Sequence, residues 1–232
     1  HFEWIINCLK AGKKVLVEKP ATINSSEAEN IKKNYFNKET FFTEGFMYLY
    51  HPQIIKSVEL IKSGEIGDLI SMESVFGKNI LTKKTFFGFN KKKKMDPQNR
   101  LYNKKMGGGA ILDLGCYPVS FSSLIAGIKS DNSFNKIDIY NKKTQVGSTG
   151  VDLDSYVDLK FNNNFTSKIG ASFTENLGNK TIIRGTIGEL IIEDTWTALT
   201  SKIIIKKKDN TEKVIHINSN ENIYSYEIES IS

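Results

Sequence analysis

The sequence predicts an α/β plus α+β fold: a first region that ends a parallel sheet, then a mostly antiparallel sheet packed with helices. Residues 1–46 alternate between helical and strand-like patterns, which is typical of a parallel sheet. After residue 126 the chain reads as strand-like runs joined by short polar turns until its last residues, which is typical of antiparallel hairpins. The chain changes character after residue 46, so we place the domain boundary between residues 1–46 and 47–232.

The elements of the first region follow from local patterns. Apolar residues at helical spacing predict the first helix, and Gly12 supplies its stop. A wholly apolar run then predicts a short strand buried on both faces, ended by Pro20. Asn24 or Ser25 can cap the second helix. The predicted elements are a helix over 2–11, a strand over 15–17, a helix from 24 or 25 to about 35, and a strand over 41–44.

The second region begins with a helix and a strand, followed by a long polar segment. An ordered loop of that length is usually functional. Pro118 is expected to separate the helical turn before it from the helix after it. The predicted elements are a helix over 51–63, a strand over 69–77, a lysine-rich loop over 78–106, a helical segment over 107–126, strands over 134–141, 151–161, 165–174, 180–185, 188–193, 202–207 and 213–217, and a helix over 222–232.

Composition excludes several classes of protein. The 232 residues are 39% hydrophobic and 11% aromatic, which argues against disorder. We find no apolar run near the roughly 20 residues that span a bilayer, and expect no membrane partner. The net charge of +6 lies partly in the runs Lys91–Lys94 and Lys206–Lys208. Because no aromatic residues interleave with these runs, solvated lysines are favoured over a nucleic-acid or phosphate surface.

Cysteine and histidine are too sparse for a metal site. Cys8 and Cys116 lie far apart without CxxC spacing, and the histidines are His1, His51 and His216. No zinc pattern can be built from these residues, so we expect no metal. Free thiols in a reducing cytoplasm are the simplest interpretation of the two cysteines.

The first chemical motif is Glu18-Lys19-Pro20, which directly follows the apolar strand. In open α/β sheets, ligands lie beyond the carboxyl ends of parallel strands, so a lysine there can point into a crevice. The Lys19–Pro20 bond is also one of the few that can be cis. The alternative is a surface loop that happens to contain these three residues.

The second motif is GGGAILDLGCY over residues 107–117. Asp113 and Tyr117 are four residues apart, so in a helical turn they share one face. The glycines at 107–109 let the backbone pass close to a ligand or a neighbouring strand. Taken alone, this segment is better explained as a glycine-rich helix start with a capping aspartate.

These two motifs resemble the glucose–fructose oxidoreductase/inositol dehydrogenase (Gfo/Idh/MocA) family when they are read together with EGFMYLYHPQ over 44–53. Leu49 stands where the family often has arginine, whereas Arg100 in PQNRL falls where related sequences carry NRL or DRL. Tyrosine at 117, followed by Pro118 and Val119, is most similar to the dihydrodiol dehydrogenase and NADP-type xylose dehydrogenase branch.

The resemblance implies an NAD- or NADP-dependent oxidoreductase that acts on a secondary alcohol of a sugar, cyclitol or diol. It implies catalytic roles for Lys19, Tyr117 and Asp113, cofactor contacts from Glu18, Lys19 and Pro20, and substrate contacts from Lys19, Asp113, Tyr117 and Arg100. A tyrosine is a poor base near neutral pH, so we expect Lys19 to lower the pKa of Tyr117 and Asp113 to orient the substrate or Lys19.

The resemblance also implies that residues 1–46 are the C-terminal part of a Rossmann-type dinucleotide-binding domain. Residues 47–232 would then bind substrate and form a homo-oligomer through the antiparallel sheet. The GxGxxG fingerprint does not occur in the sequence, so we expect an N-terminal truncation, with these residues alone inactive. The alternatives are a non-catalytic sugar-binding or regulatory relative and a structural oligomerisation module; retention of Lys19 and Tyr117 favours the enzyme.

Overall fold

The computed structural model describes residues 1–84, 88–128, 136–199, 201–219 and 222–232. Its first elements are helix α1 (Phe2–Lys10), strand β1 (Val15–Glu18), helix α2 (Ser25–Tyr35) and strand β2 (Phe42–Gly45). The two strands pair in parallel, from Val15 opposite Phe42 to Glu18 opposite Gly45. The predicted strand–helix–strand order is confirmed. The side chain of Asn24 caps α2 by accepting a hydrogen bond from the Glu27 N–H.

The expectation that β1 is buried on both faces is wrong for the described residues. Val15 is buried under α1 and α2, whereas Leu16 on the opposite face is 47% exposed. Neither helix reaches that face, since both pack on the side where Ile5 and Ile31 form a small core with Val17.

A 3₁₀ turn over Met47–Tyr50 connects β2 to helix α3 (Pro52–Lys62). Pro52 occupies the first turn of α3, where a missing N–H costs little, and Nδ1 of His51 accepts a hydrogen bond from the Gln53 N–H. The chain then enters one large sheet.

The large sheet contains eight strands in the spatial order β12-β11-β10-β9-β3-β8-β7-β6. All neighbouring pairs are antiparallel except β3 and β8, which confirms the predicted mostly antiparallel sheet. Its strands are β3 (Leu69–Gly77), β6 (Ile137–Val146), β7 (Asp152–Phe161), β8 (Thr166–Ser172), β9 (Thr181–Gly185), β10 (Gly188–Ile192), β11 (Lys202–Lys207) and β12 (Glu212–His216).

One face of this sheet is covered by helices. Helix α4 (Cys116–Ile128) lies against β3 and β8, and α3 contacts β11. The resulting core contains fully buried Tyr48, Phe121, Ile183 and Trp196. Helix α5 (Ile223–Ile231) packs on the 3₁₀ turn between the two regions.

The segment expected to be a polar loop over 78–106 has local structure. Strands β4 (Thr82–Lys84) and β5 (Asn90–Lys92) form a hairpin, and 3₁₀ turns span Arg100–Tyr102 and Lys104–Met106. The hairpin strands are too short and too rich in exposed lysine to show a hydrophobic period, which is why the sequence pattern did not reveal them.

The expected break at Pro118 is wrong. A π-helical turn over Ile111–Gly115 continues directly into α4, and Pro118 lies in the first turn of that helix, where proline is tolerated. The stretch Lys104–Ile128 is long and apolar enough, by length and composition, to cross a membrane, contrary to the expectation of no such run. Its residues Phe121, Ile125 and Ala126 have no exposed surface, because they form part of the sheet's core.

Candidate active site

Lys19 follows the carboxyl end of β1, where the sequence predicts a ligand crevice. The Lys19–Pro20 peptide bond is cis. One residue later, the N–H of Ala21 donates a hydrogen bond to Oε1 of Glu44 at 2.7 Å. Burial raises the pKa of Glu44, although this hydrogen bond and the charge of Lys19 oppose the shift. Glu44 therefore fixes the backbone after Pro20 and with it the starting point of the Lys19 side chain.

Lys19 reaches across to Asp113, which is 94 residues away in the sequence. Its Nζ donates a hydrogen bond to the backbone carbonyl of Asp113 and lies 3.4 Å from the Oδ1 carboxylate oxygen. Both side chains are 15% exposed. Pro118 has no N–H that could bond to a carbonyl of the preceding turn, and π-helical turns often occur at functional sites. The local backbone thus leaves a carbonyl to which the ammonium binds.

Arg100 forms an ion pair with the same carboxylate. Its Nη1 lies 3.1 Å from Oδ1 of Asp113, while its side chain is 67% exposed. The turn that carries Arg100 packs directly on Gly108, where an added Cβ would come within 2.6 Å of the Arg100 carbonyl oxygen. Glycine at 108 is therefore what allows the Arg100 turn to approach Asp113.

Tyr117 is 5% exposed and is enclosed by aromatic rings. Its ring centroid lies 5.7 Å from Phe46, 5.8 Å from Tyr48, 5.5 Å from Phe76 and 5.8 Å from Trp196. Such tilted and edge-to-face contacts fix the orientation of the ring.

Lys19 and Tyr117 meet at the ring face rather than at the phenol oxygen. Nζ of Lys19 lies 4.8 Å from the Tyr117 ring centroid, a cation–π distance. The Tyr117 hydroxyl donates instead to Sδ of Met47 at 3.5 Å. The expected convergence of the two side chains is present, with a different contact between them.

The expected lowering of the Tyr117 pKa is wrong in this arrangement. Burial among the aromatic rings raises the pKa of Tyr117 above its ordinary value, and Cys116, Tyr224, Asp113 and Glu18 act in the same direction. The phenol is therefore protonated at neutral pH, because an anion in an apolar cage loses more solvation than the lysine on its ring face returns.

All six residues predicted from the sequence line one cleft with a volume of about 1270 Å³. They are Glu18, Lys19 and Pro20 from the first region, and Arg100, Asp113 and Tyr117 from the second. The volume is somewhat larger than the roughly 300–1,000 Å³ of a typical small-ligand pocket.

Sequence reasoning did not identify several residues of this cleft. Phe76, Lys105 and Tyr224 line it, and Met47 and Trp196 contact Tyr117. Phe76 lies near the carboxyl end of β3, so its position could have been used to predict it as a cleft residue. The others come from separate parts of the chain, and no local pattern links them.

Among the described residues, no three His, Cys, Asp or Glu side chains lie together in a way that could hold a metal ion. Cys8 and Cys116 are free thiols. Burial raises the pKa of Cys116 to about 12, so this thiol is not a nucleophile at neutral pH.

Comparison with known proteins places these features in context. The family model of the GFO/IDH/MocA C-terminal domain matches residues 54–191. The chain is 34% identical over 128 residues to a dTDP-3,4-didehydro-2,6-dideoxy-alpha-D-glucose 3-reductase of Actinomadura kijaniata, covering 55% of this chain and 34% of that protein. It is 27% identical over 238 residues to a trans-1,2-dihydrobenzene-1,2-diol dehydrogenase of Xenopus laevis, covering 100% of this chain and 65% of the relative.

Solved structures show the same fold. A 3-ketoreductase of Actinomadura kijaniata in complex with NADP and TDP-benzene superimposes with a TM-score of 0.79 at 22% identity, covering 100% of this chain and 65% of that one. An aldose-aldose oxidoreductase of Caulobacter crescentus complexed with glycerol gives a TM-score of 0.76 at 16% identity, covering 99% and 64%. The chain thus spans about two thirds, or less, of the length of these relatives.

Proposed function

The chain belongs to the GFO/IDH/MocA family, and on that premise we propose that the whole protein is a nicotinamide-dependent oxidoreductase. It transfers a hydride between NAD or NADP and a secondary alcohol, or the corresponding ketone, of a sugar, cyclitol or diol. The relatives named above include both a sugar ketoreductase and a diol dehydrogenase, and a 3-ketoreductase of the same fold is in complex with NADP.

A single observation carries this proposal. The ammonium of Lys19 lies 3.4 Å from Asp113 Oδ1 and 4.8 Å from the ring centroid of Tyr117. The lysine comes from the carboxyl end of a parallel strand and the tyrosine from the first turn of a helix in the other region. A cation and a protonated phenol at the mouth of such a crevice match what proton-coupled hydride transfer requires.

The position of one motif supports a cofactor site at this cleft. Glu18, Lys19 and Pro20 follow β1 at the sheet edge where cofactors lie in open α/β folds, and all three line the cleft. We therefore propose that residues 1–46 complete a dinucleotide-binding domain, and that residues 47–232 hold the substrate. When bound, the nicotinamide supplies or accepts the hydride.

In the reducing direction a carbonyl carbon gains a hydride, its oxygen gains a proton, and a secondary alcohol results. We assign that proton to Oη of Tyr117, which is protonated at neutral pH. Burial disfavours the phenolate that the transfer leaves behind, so the ammonium of Lys19, 4.8 Å from the ring centroid, has to stabilise that charge in the complex. The substrate oxygen would take the place of the thioether of Met47, the present and weak acceptor of the Tyr117 hydroxyl. Lys19 has three N–H donors, of which Asp113 engages two. The third can stabilise the charge that develops on the substrate oxygen.

Steady-state kinetics on the protein expressed from its complete coding sequence tests this proposal. We expect Tyr117→Phe to lower kcat/KM by about 10²- to 10⁴-fold, as for loss of a general acid. Lys19→Met should lower it by about 10²- to 10³-fold, as for loss of an oxyanion donor. Tyr140→Phe, on exposed β6, is the matched control. Full activity of Tyr117→Phe would remove the tyrosine from the mechanism.

We also propose a homo-oligomer formed through the large sheet, in the cytoplasm. Every residue of β6 is exposed, and Ile139 and Val146 are each 63% exposed. An exposed apolar edge strand favours pairing with another chain. The two free thiols, Cys8 and Cys116, are consistent with a reducing compartment.

A further inference from the structure

The positive charge of this protein is concentrated in one segment. Residues 82–105 contain nine of the 32 basic residues and one of the 26 acidic residues, so they carry a formal charge of +8 while the rest of the chain carries −2. We call the basic residues of this segment whose side chains the structure describes the cationic wall: Lys83, Lys91–Lys94, Arg100, Lys104 and Lys105. Lys83, Lys91 and Lys92 lie on the β4–β5 hairpin.

The cationic wall borders the candidate active site. Arg100 and Lys105 line the cleft directly, together with Glu18 and Pro20. The hairpin is connected to them, because Leu81 and Met95 at its base share a hydrophobic cluster with Tyr102 of the Arg100 turn. The charge therefore belongs to residues 47–232, the region to which we assign the substrate.

The lysines of the wall are not balanced by carboxylates. Within the part of the chain that the structure describes, Lys83, Lys91–Lys94, Lys104 and Lys105 are exposed and form no ion pair. The other lysine run differs, since Lys206 pairs with Glu212 and Lys207 with Glu65.

The hairpin also places like charges face to face. Lys83 is directly opposite Lys91 in the antiparallel ladder, an arrangement that destabilises a β pair. A local rule broken without a compensating contact marks a functional position more often than a structural one. A multivalent anion between the two ammonium groups would remove the repulsion.

From these observations we propose that the cationic wall binds a phosphate-bearing portion of the substrate. The enzyme then acts on a phosphorylated or nucleoside-diphosphate-linked sugar rather than on a neutral sugar or diol. Lysine binds phosphate as a point charge, and the exposed guanidinium of Arg100 can add a bidentate contact. The inference rests on the proposed function only in taking the bound anion to be the substrate.

Calorimetric titration of the protein expressed from its complete coding sequence, without cofactor, tests the binding step without turnover. The probes are thymidine 5′-diphosphate, glucose 1-phosphate, inorganic pyrophosphate and glucose. We expect the phosphate-bearing probes to bind with salt-dependent affinity, and glucose to bind at least roughly tenfold more weakly. The order of thymidine diphosphate and glucose 1-phosphate tells a nucleotide-linked substrate from a sugar phosphate. Equal affinity for glucose and glucose 1-phosphate would overturn the inference.

The decisive variant removes three charges from the wall. Lys83→Gln/Lys91→Gln/Lys105→Gln should weaken binding of thymidine diphosphate or glucose 1-phosphate by about tenfold or more. It should also raise the melting temperature of the free chain, because the Lys83–Lys91 repulsion is gone. The control Lys206→Gln/Lys207→Gln/Lys208→Gln removes three charges from the other run and should change affinity less than about threefold. Equal losses in both variants would reduce the effect to net charge and refute the proposal.

Two further measurements distinguish this inference from a nucleic-acid surface and from the proposed function itself. Tighter retention of a mixed-sequence DNA duplex than of thymidine diphosphate would make the wall a nucleic-acid surface and overturn the proposal. In the complete enzyme, a kcat/KM for a neutral diol that equals or exceeds that for every phosphorylated or nucleotide-linked sugar tested would refute the inference and leave the proposed function standing. Binding that depends on phosphate, without any hydride transfer in the complete enzyme, would support the inference and refute the proposed function.

Discussion

Substitution of Gly109 by alanine tests how the turn that carries Asp113 is held in place. Its φ is +118°, and a Cβ built there would overlap Oδ1 of Asp152. The other carboxylate oxygen of Asp152 accepts a hydrogen bond from the Ile111 N–H at 2.8 Å, at the start of the π-helical turn that carries Asp113. Gly109→Ala therefore strains the backbone and displaces the group that holds this turn.

The two effects give a magnitude. A non-glycine residue in a left-handed conformation costs about 1–2 kcal/mol. Loss of a hydrogen bond to a charged acceptor costs about 1.5–3 kcal/mol. We therefore expect Gly109→Ala to lower the free energy of unfolding by about 2.5–5 kcal/mol, a large share of a typical domain's total stability.

Gly150→Ala is the matched control. Its φ is +80° and a Cβ there would meet nothing within 4 Å, so only the backbone strain of about 1–2 kcal/mol applies. Urea unfolding followed by circular dichroism measures both variants, with the midpoint converted at a common slope. If the two variants are destabilised equally, the Asp152 contact contributes nothing and the explanation of the glycine motif is refuted.

Three further outcomes follow from single side chains. Burial lowers the pKa of His51, whose neutral Nδ1 accepts the Gln53 N–H. The free energy of unfolding should therefore fall as the pH drops below the unfolded-state pKa of about 6.5. Urea midpoints measured from pH 8 to 5 should show this fall in the wild type and not in His51→Asn. The raised pKa of Tyr117 contributes stability below the unfolded value of about 10, which is lost above it, so wild type should lose more stability than Tyr117→Phe between pH 9 and 11. Ile139→Lys on β6 should dissociate the proposed oligomer in light scattering, whereas Thr144→Lys on the same exposed strand should have a weaker effect.

Much of the fold could be predicted from the sequence because its signals are local. The helix stop at Gly12, the end of the first strand before Pro20 and the capping Asn24 each act within a few residues, and the elements that they bound, α1, β1 and α2, are present. Residues 134 and 135 of the predicted strand over 134–141 lie outside the described residues. The face of β1 that carries Leu16 could not be predicted, since its burial depends on what packs there. The β4–β5 hairpin was not predicted for another reason. Its lysines lie on both faces, so the sequence shows no hydrophobic alternation with a period of two.

The candidate site divides in the same way. Lys19, Asp113 and Tyr117 could be expected at one site because their motifs together resemble those of a known family, and the structure brings all three to one cleft. The protonation state of Tyr117 could not, because Phe46, Phe76 and Trp196 enclose its ring from three separate segments. Their combined desolvation outweighs the single lysine from which the sequence led us to expect a lowered pKa.

Asp113 connects the two proposals, because one carboxylate oxygen faces both cations of the cleft. Lys19 and Asp113 are 15% exposed, whereas Arg100 is 67% exposed. An exposed ion pair contributes little and is easily exchanged, while a partly buried cation that loses its partner bears a desolvation cost. An incoming phosphate therefore draws Arg100 from Asp113 more readily than Lys19, which leaves the ammonium fixed against the Tyr117 ring. The charged end of a substrate can thus bind at the wall without disturbing the groups that would handle the proton.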